Sequence, residues 1–132
     1  VNERQFYSVI EDWRDRSYDW HKSNCCQFAA DIARCSGADI EVPDFDNVEQ
    51  AAKWIKKQGC RSLYHYLVKL FGKPVAPLQA KRGFIAYRKG QGLDGSGIGA
   101  IERKALFVGE HGLIELKLSD CAGAFDPNKY RG

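Results

Sequence analysis

Two adjacent cysteines, Cys25 and Cys26, stand in the stretch HKSNCCQFAADIARCSG (residues 21–37), just after His21. Asn24 is a good helix N-cap, Gln27 completes a capping box, and Gly37 is a natural C-terminal stop. The spacing therefore predicts a helix that opens at Cys25. A cysteine in the first helical position lies among unpaired backbone N–H groups at the positive end of the helix dipole, and both favour a thiolate. At about 100° per residue, Phe28, Ala29 and Ile32 share its face, which must pack on the rest of the core. Cys26 lies a quarter turn round, nearer Ala30 and Ala33, where small side chains permit close helix packing. The pair reads either as an activated nucleophile or as small buried side chains, the usual state of free cysteine.

A nucleophilic cysteine needs a histidine within hydrogen-bond reach as general base, and a further residue to orient the ring. The chain has three histidines. His21 lies in the loop before the helix and is a speculative base if that loop folds back. His65 stands between Tyr64 and Tyr66 on a predicted amphipathic helix, and His111 occupies the turn GEHG (109–112). For metals, Cys25, Cys26, Cys35, Cys60 and Cys121 form no Cys-x-x-Cys pair, so no metal site and no cofactor is expected. The acids of DIEVPDFD (39–46) lack the ligand spacing of a calcium loop and read as a loop and helix cap. GQGLDG (90–95) fits a dinucleotide-binding fingerprint, but SGIGAIE follows it and reads as strand, so it is expected to be a loop.

The elements that must position these residues divide into two halves. Phe6, Val9, Ile10 and Trp13 make one apolar stripe over residues 3–16. After the cysteine helix, Asp46 with Glu49 predicts a capping box for a third helix that ends at Gly59. Ser62 predicts the cap of a fourth, which carries Leu63, Tyr66, Leu67 and Leu70 and closes at Gly72. Beyond GKPVAP, the runs 83–89, 97–108 and 113–118 read as strands, with GEHG as a tight turn. Helices first and strands afterwards imply an α+β fold, with N-terminal helices packed on a small antiparallel β-sheet. Cys25 is expected in the first turn of its helix, directed at the strand that contains Phe84 to Tyr87.

Bulk properties narrow the classes. At 132 residues the chain fits one domain, 1–132, able to bury a single core. The net charge is +3, and Lys and Arg read as interleaved with acids, so nucleic acid is not an expected partner. No apolar run approaches a membrane span, and the polar N-terminus is unlike a signal peptide. Five cysteines without such a signal favour a reducing cytoplasm over a disulfide framework. A chain without methionine that begins at Val1 is expected to be a whole protein that has lost its initiator.

The order of a helix-start cysteine, a small-residue helix, a glycine and then Gly-led strands resembles the NlpC/P60 papain-like hydrolases. SNCCQFAADIARCSG is similar to their Asp-Cys-Ser-Gly box, with Cys25 in the nucleophile's place and Asn24 in that of the Asp. LQAKRGFIAYR and GIGAIERKALFVGEHGLIEL resemble the two strand segments that follow. The likeness spans about residues 18–118, with the cysteine box its specific part, and is closer still to small phage-encoded proteins of the tail gene region that carry a Cys-Cys-x-Phe-Ala-Ala-Asp box. The family's histidine position falls here on Ser96 or Gly97, and neither accepts a proton near neutral pH. The resemblance implies an NlpC/P60-type fold that has lost its catalytic base. It implies a phage tail structural or assembly protein, made in the host cytoplasm and built into the virion with other tail proteins as partners. The alternative it implies is a cysteine hydrolase acting on cell-wall peptide, with Cys25 as nucleophile and His21 as an unorthodox base.

Overall fold

A computed structural model describes residues 1–21, 23–90 and 97–131. Among these, the helices α1 (Glu3–Trp13), α2 (Cys25–Arg34), α3 (Val48–Lys57) and α4 (Leu63–Phe71) precede the strands. The strands are β1 (Ile85–Arg88), β2 (Gly97–Ile101), β3 (Ala105–Gly109), β4 (Gly112–Leu116) and β5 (Gly123–Phe125). They form one antiparallel sheet in the order β4-β3-β2-β1-β5. The fold is α+β, as the order of sequence patterns implies.

Alternation along the strands explains the layering. Ile85, Tyr87, Ile98 and Ala100 face the helices and join a core that contains Phe6, Trp13, Phe28, Ile32 and Leu67. Phe84, Ala86, Ile101 and Phe107 face the other way, into a smaller cluster closed by Val75, Ala80, Leu116 and Leu118. Each large side chain taken fully from water contributes about 1.5–3 kcal/mol, so the helical layer supplies most of the core. α1 is fixed to α2 by the Trp13 indole, which donates to Asp31 Oδ2 at 2.7 Å and lies against Phe28 with ring centroids 5.3 Å apart.

The caps follow the sequence at α2 and α4. Asn24 accepts from the Gln27 N–H while the Gln27 side chain accepts from the Asn24 N–H, and Ser62 caps His65 N–H. At α3 the expected Asp46/Glu49 box is displaced by one residue. Asn47 is the cap and accepts from Gln50 N–H, and Gln50 reaches back to Asp46 N–H. The amide of Asn47 caps as a carboxylate would, while the bond that Gln50 returns falls one residue before the cap.

Two strands and one helix end differ from expectation. The run 97–108 is two strands, because Glu102, Arg103 and Lys104 turn the chain, with Glu102 N–H bonded to Lys104 O at 2.9 Å. The apolar residues on both sides hide that break. β5 is three residues long and carries too short a period to stand out, yet it pairs with β1 from Ile85–Phe125 to Tyr87–Gly123. α1 stops at Trp13, where the Arg14 carbonyl accepts from Leu113 N–H, and Gly112 at φ +122 lets β4 approach that carbonyl. Gly99 is required for a different reason, since a Cβ there would fall on the Leu106 carbonyl. The segment 91–95 and Ser96, on which the loop reading and part of the histidine position fall, lie outside the described residues.

Candidate functional site

α2 delivers Cys25 as the capping box predicts, in the first helical position and only 5% exposed. Its surroundings are decided by how β2 and β3 part. The β2–β3 register pairs Ala100 with Leu106 and Ile101 with Ala105, whereas β3 and β4 stay paired as far as Gly109–Gly112. The Gly109 carbonyl accepts instead from Tyr18 N–H at 3.0 Å. The segment before α2 thus fills the open end of the strand pair, and Cys25 sits there against Ile98 of β2. The sequence reading aimed Cys25 at β1. α2 crosses the centre of the sheet, and β2 is the central strand, so the thiol meets β2 first.

The groups around the sulfur are hydrogen-bond donors. The Tyr18 hydroxyl donates toward Cys25 Sγ at 3.8 Å. The Cys26 thiol and the Ile98 backbone N–H also favour the charged form of Cys25, and Cys26 is the largest influence. Together they overcome burial and hold the Cys25 thiol below its ordinary value, at about 7. The reciprocal effects fall on its partners. Cys26 is pushed well up by its bond to Cys25 and by burial, and Tyr18 is pushed up by burial and by the charge on Cys25. Of the three groups, Cys25 is therefore the one that gives up its proton first.

A cleft of about 310 Å³ opens beside this cluster, with Tyr18, Trp20 and Cys25 on one side and Gly97 and Ile98 on another. Phe107, Val108 and Ile114 complete it with Arg88, whose guanidinium lies 5.3 Å from the Phe107 ring centroid and whose Nε is buried without a hydrogen-bond partner among the described residues. Asn24 supports the cleft from beneath. It is fully buried, and its Nδ2 donates to Trp20 O at 2.7 Å, which holds the Tyr18–Trp20 segment over the helix start.

The histidines lie elsewhere. His21 is exposed and directs Nδ1 to Asp46 Oδ1 at 3.5 Å, while its backbone carbonyl accepts from the Gln27 side chain. It is not among the residues that line the cleft. His65 accepts from Arg61 N–H at Nδ1, and His111 is exposed in the β3–β4 turn. Gly97, one of the two residues at the histidine position of the resemblance, does line the cleft.

Cys26 borders a separate apolar cavity of about 40 Å³ enclosed by α2, α3, α4 and the sheet. Cys35, Cys60 and Cys121 are buried free thiols. Among the described residues, no cluster of three or more His, Cys, Asp or Glu side chains is disposed to hold a metal ion, and no helix is long and apolar enough to cross a membrane. Sequence reasoning missed Tyr18, Arg88 and the Ile98 N–H as neighbours of Cys25. A tyrosine a few residues before the helix was the one available signal for the first, and the other two come from strands that only the sheet brings near.

Compared with known proteins, residues 2–126 match the model of a domain of unknown function, DUF6950. No curated protein and no solved structure matches the chain.

Proposed function

The chain belongs to the DUF6950 family, and we propose that it is a structural or assembly protein of a phage tail, on an NlpC/P60-like scaffold without peptidase chemistry. The observation that carries this reading is the character of the groups at Cys25. Tyr18 donates to the sulfur, Cys26 and the Ile98 N–H favour its charged form, and none of the three is a base able to take a proton and return it to a leaving amine. The NlpC/P60 type is supported by one juxtaposition. Gly97, at the position that corresponds to the family's histidine, lines the same cleft as Cys25 and brings no side chain to it. The tail assignment rests on the Cys-Cys-x-Phe-Ala-Ala-Asp box, and it entails synthesis in the host cytoplasm and other tail proteins as neighbours. Two measurements test it together. The protein should be found by mass spectrometry and immunogold labelling in purified tails, and it should leave peptidoglycan fragments uncut. Its absence from tails ends the structural reading, and cleavage ends the claim of lost chemistry.

A second reading is favoured by the thiol held near 7 at the side of a cleft. Here Cys25 is the nucleophile of a cysteine hydrolase that acts on cell-wall peptide, with His21 as the base. It requires His21 to leave Asp46 and turn to the sulfur. Turnover abolished by both Cys25→Ala and His21→Ala would establish it.

A further inference from the structure

The formal charge of +3 hides a strong separation along the chain. Residues 39–49 (DIEVPDFDNVE) hold five acids and no Lys or Arg, whereas residues 50–90 hold ten Lys and Arg and no acid. The sequence reading of interleaved charge fails over these segments. The fold turns the separation into two faces. Asp39, Glu41, Asp44, Asp46 and Glu49 are all exposed on the loop and first turn that lead into α3. Asp44 is held by the Gln27 side chain and Asp46 by Gln50, so these carboxylates have fixed places near the start of α2. From the middle of α3 to beyond its C-terminal end, Lys53, Lys56, Lys57, Arg61 and Lys69 are exposed. Lys69 Nζ donates to the Gln58 carbonyl at 2.6 Å, which draws α4 and its charge to the end of α3. None of these five cations is in an ion pair among the described residues.

We propose that copies of this chain associate head to tail, the cationic end of α3 on one copy against the acidic 39–49 segment of the next. α3 is 10 residues long, about 15 Å end to end. That exceeds the screening length of about 8 Å at physiological salt, so a partner meets each face as a distinct charge. The charge that complements the cationic face is present on the same chain in equal number, five against five. A nucleic acid would meet the acidic segment one helix length away, which favours a second copy as the occupant. In a head-to-tail contact each copy sets one face on the other face of the next, so the contact is heterologous and builds a ring or a filament. The inference stands on charge and geometry and is independent of the role of Cys25.

Sedimentation of the full chain at low and at half-molar salt tests it, with two charge-reversed variants. One carries Lys56→Glu, Lys57→Glu and Arg61→Glu, and the other Asp39→Lys, Glu41→Lys and Asp44→Lys. All six positions are exposed, and an unchanged circular dichroism spectrum confirms that each variant is folded. The expected result is oligomers at low salt that dissolve at high salt, monomers for either variant alone, and association restored when the two variants are mixed. A wild-type chain that stays monomeric at low salt overturns the proposal, as do oligomers indifferent to salt or to both reversals. Binding of a short DNA duplex by a chain that remains monomeric, lost in the lysine-reversed variant, would assign the face to nucleic acid instead.

Discussion

The Tyr18 hydroxyl stands 3.8 Å from the Cys25 sulfur because the segment before α2, rather than β2, takes the last carbonyl of β3. A phenol in that place lends a proton to the sulfur and cannot accept one, since burial and the neighbouring charge push its own pKa up. Tyr18→Phe should therefore raise the Cys25 pKa and slow its alkylation near neutral pH. The readout is the pH profile of iodoacetamide labelling, and an unshifted profile would remove Tyr18 from the cluster.

Cys26 is expected to matter more than Tyr18, because its thiol is the largest influence on Cys25. Cys26→Ala should move the labelling profile further upward than Tyr18→Phe does. An equal or smaller displacement would reverse the order of the two donors.

Stability should vary with pH through the same pair. The folded pKa of Cys25, about 7, lies below the ordinary thiol value of 9.0. Its contribution is therefore complete above the ordinary value and is lost as pH falls through about 7. Cys26 has the opposite sign, since a raised folded pKa makes its contribution complete below the ordinary value and erodes it at more alkaline pH. Urea unfolding should show stability rising by roughly 1–3 kcal/mol between the two values and falling beyond them. Cys25→Ala should abolish the rise, and a rise that persisted in that variant would assign it to another group.

Asn24 differs from the aspartate of the resembling box, and the structure gives a physical reason. Its Nδ2 donates to the Trp20 carbonyl from a fully buried position, and a carboxylate there would oppose oxygen to oxygen. Asn24→Asp should cost about 1–3 kcal/mol at neutral pH, with recovery on acidification as the carboxyl gains a proton to donate. Denaturant midpoints at neutral and acidic pH decide this, and an unchanged midpoint would refute it.

Gly99 sets the close approach of β2 to β3. Gly99→Ala should destabilise the fold by about 1–3 kcal/mol or more, since the added Cβ meets the Leu106 backbone rather than a side chain able to move. A melting temperature equal to that of the wild type would show that β3 yields there.

Local rules carried the sequence a long way. Asn24 with Gln27 fixed the start of α2, Ser62 that of α4, and the change of period after Phe71 separated helices from strands. Each depends on residues within a few positions of one another, where capping and alternation act. The chemistry at Cys25 was legible only in its first half. A helix start favours a thiolate whatever the fold, but the identity of the groups that reach the sulfur depends on which strand lies beneath it. Ile98 and Arg88 stand at separations along the chain that carry no local signal, and Tyr18, seven residues from Cys25, is turned to the sulfur only by the end of β3. They meet because β3 parts from β2 and α2 crosses the centre of the sheet. The charge separation is the reverse case. Its residues stand in the sequence, where the overall balance reads as interleaved, and only the direction of α3, with Lys69 bound at its end, makes two opposed faces of them.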